Sequence, residues 1–354
     1  MQFAMAFKII GVLLILFSSA MLPSLLLSVI SQDGIESAFA IGFGATLAAG
    51  ILLWLPNRLH RRDLNIRDGF LVTALFWIVL GLFGAIPLWI TPQLDLSPIA
   101  AIFESISGLT TTGATVITGL DALPRSLLLY RQLLQWLGGI GIIVLAVAIL
   151  PMLGIGGMQL YRAESAGPSK DRKLTPRITS TAKALFGIYL LLTVACTLSY
   201  FAAGMSPFDA LCHAFSTVAI GGFSTHDASL GYYEENAILL VSSLFMLFSA
   251  INFGLHFVAL QRRTARVYAR DSETAFFVTV IALATVVTCS LLLTTETLGV
   301  EDSLIHGFFQ TISIATTTGF TTQDFSIWPL FLPILLLMLS FMGGCVGSTG
   351  GGMK

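Results

Sequence analysis

The chain has 354 residues, of which 55% are apolar and 10% charged, with a formal net charge of −1 and a mean hydropathy of +0.88. Ordinary globular domains carry about a quarter charged residues, so a soluble fold is excluded and the chain reads as an all-α polytopic membrane protein. The near-zero net charge excludes nothing by itself, because in a membrane protein the distribution of Lys and Arg between the two faces carries the information.

The elements follow in order. Lys8 and the apolar run Ile9–Ile30 have the look of a signal peptide, with Ser18-Ser19-Ala20 as a cleavage site. The run is longer than an h-region of about 7–15 residues and long enough to cross a bilayer, which favours an uncleaved helix. Spans are expected at 8–30, 37–56, 69–91, 130–153, 182–204, 236–260, 274–296 and from 327 onward. Between them lie apolar segments at 97–109, 206–218 and 303–315. A helix of about 13 residues is roughly 20 Å long and cannot cross a hydrocarbon core of about 30 Å. These three must stop inside the membrane and turn back.

Each of the three runs into a turn of the same build: Thr110-Thr-Thr-Gly113, Ala219-Ile-Gly-Gly222 and Thr316-Thr-Thr-Gly319. Their glycines are 222 − 113 = 109 and 319 − 222 = 97 residues apart, the spacing of a copied unit of helix, re-entrant hairpin and helix. Non-helical backbone at membrane depth is tolerated only where protein or a water-filled cavity satisfies it. The turns are therefore expected to line one aqueous path, where backbone carbonyls can replace the water shell of a cation. Glycine permits the φ values such a turn needs, and threonine adds a hydroxyl for neighbouring backbone or, at the base, for the ion. The second copy lacks the threonines, which carbonyl coordination permits and side-chain coordination does not.

Basic residues collect on alternate connections: Arg58, Arg61, Arg62 and Arg67; then Arg162, Lys170, Arg172, Lys173, Arg177 and Lys183; then Arg262, Arg263, Arg266 and Arg270. By the positive-inside rule these faces and the N-terminus are cytoplasmic, and the three hairpins enter from outside. The opposite connections are acidic, which either concentrates cations at the entrance or only reflects retention of Lys and Arg inside. Glu104 in the first hairpin either biases cations or bonds within the hairpin, the second reading being favoured. His213 and His306 read as packed or hydrogen-bonded, and His256 as inert. Cys196, Cys212, Cys289 and Cys345 have no metal-ligand or disulfide spacing. Six glycines fall between Gly343 and Lys354, each weakening a helix by about 1 kcal/mol relative to alanine, so the last span is expected to break in mid-membrane. A close helix contact is the other use of such a run.

The three turns, Gly138-Gly-Ile-Gly141 at the start of the following helix and the closing run 343–354 together resemble the Trk/Ktr/HKT superfamily of cation transporters. The two leading helices, 1–66, match its Trk branch. The resemblance implies potassium transport through a filter made by the carbonyls of Thr110, Thr111, Thr112 and Gly113, of Ala219, Ile220, Gly221 and Gly222, and of Thr316, Thr317, Thr318 and Gly319. Glycine at 113 goes with potassium selectivity in the superfamily, and serine there with sodium. It also implies an intramembrane gate made of Gly343, Gly344, Cys345, Gly347, Ser348, Thr349, Gly350, Gly351, Gly352 and Lys354. Further implications are a homodimer in the bacterial inner membrane, no covalent cofactor, and a cytosolic TrkA-like ring that holds the regulatory nucleotide; the loop 154–181, rich in Arg and Lys, is either the segment that contacts such a ring or basic only through retention of its charges inside. Nucleic acid is not an expected partner. The repeats divide as 67–178, 179–271 and 272–354, and the family's fourth repeat is absent, so the chain reads as part of a longer protein.

No H-E-x-x-H, G-x-S-x-G or paired intramembrane aspartates occur, which argues against an enzyme. A sodium- or proton-coupled symporter is the better rival, but it would be expected to carry inverted repeats and ionisable groups at the midplane. Here all three hairpins enter from one face.

Overall fold

The structure is a computed structural model that describes residues 3–59, 66–144, 174–329 and 331–353. Helix α1 (Phe3–Ser18) runs through a 3-10 turn into α2 (Leu22–Ser31), followed by α3 (Glu36–Asn57), α4 (Ile66–Ile90), α5 (Pro98–Leu109) and α6 (Arg125–Val144). Then come α7 (Leu174–Ala202), α8 (Pro207–Ala219), α9 (Asn236–Ala250), α10 (Phe253–Arg262), α11 (Arg266–Arg270), α12 (Ser272–Thr294), α13 (Val300–Ala315) and α14 (Leu332–Met342). No strand occurs among the described residues.

Five helical stretches among the described residues are long and apolar enough to span a bilayer: Phe3–Ser31, Glu36–Asn57, Leu71–Ile90, Ala182–Ala202 and Ser272–Thr294. Their outward faces carry exposed apolar side chains, including Leu52, Leu191 and Val286 at 73%, 53% and 63% exposure. Apolar patches of that extent suit lipid and not water. Where helix meets helix the residues are small: a Cβ added at Gly11 of α1 would fall 2.8 Å from the Gly50 carbonyl of α3, the close backbone approach that holds membrane helices together by packing.

The short helices α5, α8 and α13 are the three expected re-entrant segments. Ser97 and Ser206 cap the first two by accepting from the amides of Ala100 and Asp209, each with proline at the first helical position, the arrangement that satisfies orphan amides at a helix start.

Two expectations need correction. The span placed at 236–260 is not one helix: α9 ends at Ala250, α10 starts at Phe253, and the axis turns by 95°. Asn252 caps the new helix by accepting from Gly254 N at 2.7 Å. The freed groups are met by the glycine-rich loop, since Cys345 N donates to Ala250 O (2.8 Å) and Phe253 N to Gly347 O (3.1 Å). His256, expected to be inert, bridges the break with its ring nitrogens 2.8 Å from Phe248 O and from the Tyr268 hydroxyl. Second, α6 begins at Arg125, so Gly138–Gly141 lie in its interior and not at its start. A Cβ at Gly138 would fall 1.9 Å from Leu109 O, so the bare backbone there lets α6 lie against the end of α5.

Candidate functional site

The three turns have one backbone. Their second residues, Thr111, Ile220 and Thr317, take φ of 54°, 54° and 67°, and their glycines, Gly113, Gly222 and Gly319, take 76°, 82° and 83°. Left-handed φ at three non-glycine residues, two of them threonine and one isoleucine, is uncommon and costs energy. Its recurrence at the same register ties the conformation to the shared site. In each turn the third amide donates back into the short helix before it (α5, α8 or α13) over 2.9 Å: Thr112 N to Ser107 O, Gly221 N to Ser216 O and Thr318 N to Ser313 O. The second amides do likewise, to Gly108 O, Thr217 O and Ile314 O, at 3.0–3.1 Å. Among the described residues, the only carbonyl of these turns that accepts a hydrogen bond is that of Gly221. Donors are turned into the protein, and the other carbonyls meet no donor among the described residues.

The turns stand side by side. A Cβ on Gly113 would lie 2.1 Å from Gly221 O, and one on Gly222 would lie 2.0 Å from Thr318 O. The third carbonyl of one turn thus points into the seam beside the glycine of the turn before it, and only glycine fits there. The threonine hydroxyls serve the protein: Thr110 Oγ1 donates to Ile106 O and Thr316 Oγ1 to Ile312 O, both at 2.8 Å.

Behind the turns, the three short helices α5, α8 and α13 carry Glu104, His213 and Gln310, all fully buried. Their spacings, 213 − 104 = 109 and 310 − 213 = 97, repeat those of the glycines, a signal in the sequence that connects three side chains of unlike chemistry. Each holds the extended segment that leaves its turn. Glu104 accepts from Thr115 Oγ1 (2.9 Å) and Val116 N (3.0 Å), the His213 ring is 2.9 Å from Ser224 Oγ, and Gln310 accepts from Thr322 N (3.2 Å). His306, as expected, is hydrogen-bonded, to Thr322 Oγ1 at 2.9 Å.

Glu104 does not face a path for ions. Arg131 of α6 closes on it with Nε at 2.9 Å and Nη2 at 2.8 Å, 1% and 0% of the two side chains being exposed. Arg131 also donates to Ser224 O of the second hairpin (3.3 Å) and lies 4.4 Å over the Phe223 ring. The expectation of a bond within the hairpin holds, with a partner from α6 that the sequence did not suggest.

The glycine-rich loop lies under the turns and touches them. Gly351 N donates to Thr317 Oγ1 (2.9 Å), and Thr349 Oγ1 donates to Val218 O (2.9 Å), with Ser249 O at 3.3 Å. Val346 N donates to Glu273 Oε1 at 2.7 Å. Gly343, Gly347 and Gly352 have φ of 65°, 76° and 100°. The loop therefore joins the end of α8 just before the second turn, the third turn, the α9–α10 break and the start of α12. Lys354 lies outside the described residues, as do Arg61, Arg62 and the segment 145–173.

On the hairpin face, the extended segments leaving the first two turns are tied by His226. Its Nδ1 is hydrogen-bonded to Asp121, its Nε2 is 3.7 Å from Asp209 Oδ1, and the Tyr232 ring stacks on it at 3.5 Å. Burial pulls the imidazole pKa down, but the two carboxylates outweigh that and raise it above 6.5. The same bond holds the Asp121 carboxyl below its usual range. A raised folded-state pKa means that His226 stabilises fully below the unfolded value and that this contribution is lost as pH rises through the folded one. Melting of the detergent-solubilised protein is expected to weaken as pH rises above the ordinary imidazole value of 6.5, and His226→Gln to flatten that part of the profile. An unchanged slope in the variant would show that the clamp contributes nothing.

These features define an all-helical polytopic membrane protein with repeated re-entrant hairpins around a common centre. The model of the TrkH family, described as cation transport protein, matches residues 35–354. A curated Trk system potassium uptake protein TrkH from Halomonas elongata is 56% identical over 100% of this chain and 73% of its own length. The TrkH of Escherichia coli is 52% identical over 100% of this chain and 74% of its own. The crystal structure of the potassium transporter TrkH from Vibrio parahaemolyticus superposes with a TM-score of 0.92 at 51% identity, covering 100% of this chain and 73% of that one. The chain belongs to the TrkH family, which is a family of transporters and not of enzymes.

Proposed function

We propose that the chain takes up potassium across the bacterial inner membrane through the ring formed by its three turns, and that the loop 343–354 gates this path. The observation that carries the reading is the common backbone of the turns, whose second and third amides are bonded back into the short helices before them while, among the described residues, eleven of the twelve carbonyls accept no hydrogen bond. Such carbonyls can take the place of a cation's water shell. The pore helices end at the turns, so their negative dipole ends point the same way. Relatives named as potassium uptake proteins support potassium as the ion.

The repeats 67–178, 179–271 and 272–354 then form three walls of the ring, and a fourth wall, from a further repeat or another subunit, completes it beside Gly319. The basic connections put the N-terminus in the cytoplasm and the hairpins outside. The Trk system names of the relatives support partner subunits, which we place as a homodimer on a cytosolic TrkA-like ring that holds the nucleotide and contacts 154–181.

The test is rubidium and sodium uptake into proteoliposomes, with the protein as it stands and with Thr349→Val. Selective rubidium uptake is expected in both. The variant, having lost the bond that ties the loop to Val218 O, is expected to pass ions about 2- to 12-fold faster, since one buried hydrogen bond is worth roughly 0.5–1.5 kcal/mol of the closed state. Uptake that does not distinguish the two ions would remove the filter, and an unchanged rate in Thr349→Val would remove the gate.

A further inference from the structure

The first and third turns lock themselves, and the second cannot. In the first, the hydroxyls of Thr110 and Thr112 meet at 2.8 Å; in the third, those of Thr316 and Thr318 meet at 2.8 Å. The corresponding positions of the second turn are Ala219 and Gly221, which have no hydroxyl. A side chain from another element fills that place. Gln135 of α6 donates from Nε2 to Gly221 O (2.6 Å) and accepts at Oε1 from Phe223 N (3.1 Å), with no exposure of its side chain. A Cβ on Gly221 would fall 2.4 Å, 2.5 Å and 2.7 Å from the amide carbon, oxygen and nitrogen of Gln135. The amide occupies the volume that a threonine at 221 would need.

We propose that Gln135 is a positioning residue for ion selectivity, a borrowed lock that holds the second turn in the shape the first and third hold by themselves. It fixes Phe223 and Gly221, and the Gly221 carbonyl is the one that abuts Gly113. A loosened Gly221 therefore disturbs two of the walls at once. The inference rests on the filter reading above.

The experiment is a swap, read as the ratio of rubidium to sodium uptake in proteoliposomes at matched protein yield and size-exclusion profile. Gln135→Ala is expected to lower the ratio about tenfold, the effect of one buried carbonyl and one buried amide left unmet. Ala219→Thr with Gly221→Thr, Gln135 being kept, is expected to lower it as well, because two side chains then compete for one volume. Ala219→Thr, Gly221→Thr and Gln135→Ala together are expected to restore the ratio to within about threefold of the parent, less than the 1.4 kcal/mol that a tenfold change represents.

A ratio unchanged in Gln135→Ala overturns the inference, and so does a triple variant no better than the threonine pair. The second comparison decides the matter if Gln135→Ala cannot be purified. Gly113→Ser run alongside separates the two readings: if it shifts the ratio while the Gln135 series does not, the filter stands and the lock falls; if neither shifts it, the filter reading falls.

Discussion

Gly113→Ser is expected to remove most of the preference for potassium over sodium while leaving ion flux in place. Two costs act together at this residue. Its φ of 76° lies in the left-handed region, where a side chain costs roughly 1–2 kcal/mol. The new Cβ would also lie 2.1 Å from Gly221 O, a backbone atom that cannot swing aside as a flexible side chain would. The strain can be relieved only by moving the first turn away from the second, which opens the seam and changes the spacing of carbonyls on both sides. A ring so changed no longer fits the dehydrated larger ion. The uptake ratio of rubidium to sodium should fall about tenfold or more, given that 1.4 kcal/mol corresponds to a factor of ten. Gly113→Ala should act in the same direction, because the cause is the β-carbon and not the hydroxyl. If both variants keep the parental ratio, the seam does not set selectivity.

How much of this was legible in the chain depends on the range of each interaction. The turns and their pore helices are local features, written as Ser-Pro caps, apolar half-spans and Thr/Gly sequences, and the repeat spacing made them visible. The regular offset even extends to Glu104, His213 and Gln310, though their different chemistry hides the equivalence. The break after Ala250 was not legible, because Ser249-Ala-Ile-Asn252 contains neither proline nor glycine and the apolar run continues through it. Its stability comes from Gly347 and Cys345, about 95 residues further on, which satisfy the backbone groups that a broken helix exposes. Nor could Gln135 and Arg131 be connected with the second turn, since α6 carries Gln132 and Arg125 as well and the partners of Gln135 and Arg131 there lie 86–93 residues away. The sequence makes the local conformation readable; the tertiary bonds that hold it in register are not.

The second large effect is expected at Arg131. Arg131→Gln should destabilise the protein by about 3–5 kcal/mol, the range found when one partner of a buried ion pair is removed and the other is left uncompensated. Glu104 would remain with Thr115 Oγ1 and Val116 N as donors, enough to orient a carboxylate but not to neutralise it. Glu104→Gln together with Arg131→Gln removes both charges and is expected to recover most of the loss, as buried pairs replaced by neutral groups often do. Melting in detergent of the parent, the two single variants and the double variant forms a cycle that isolates the coupling. The selectivity ratio adds a second readout, because Arg131 reaches Glu104 in the first hairpin and Ser224 in the second. Removal of the guanidinium should therefore loosen the extended segments leaving both turns, and the double variant should regain stability without regaining full selectivity. A single variant as stable as the parent would show that the pair is dispensable. A double variant with the full parental ratio would show that α6 holds the two hairpins by packing alone.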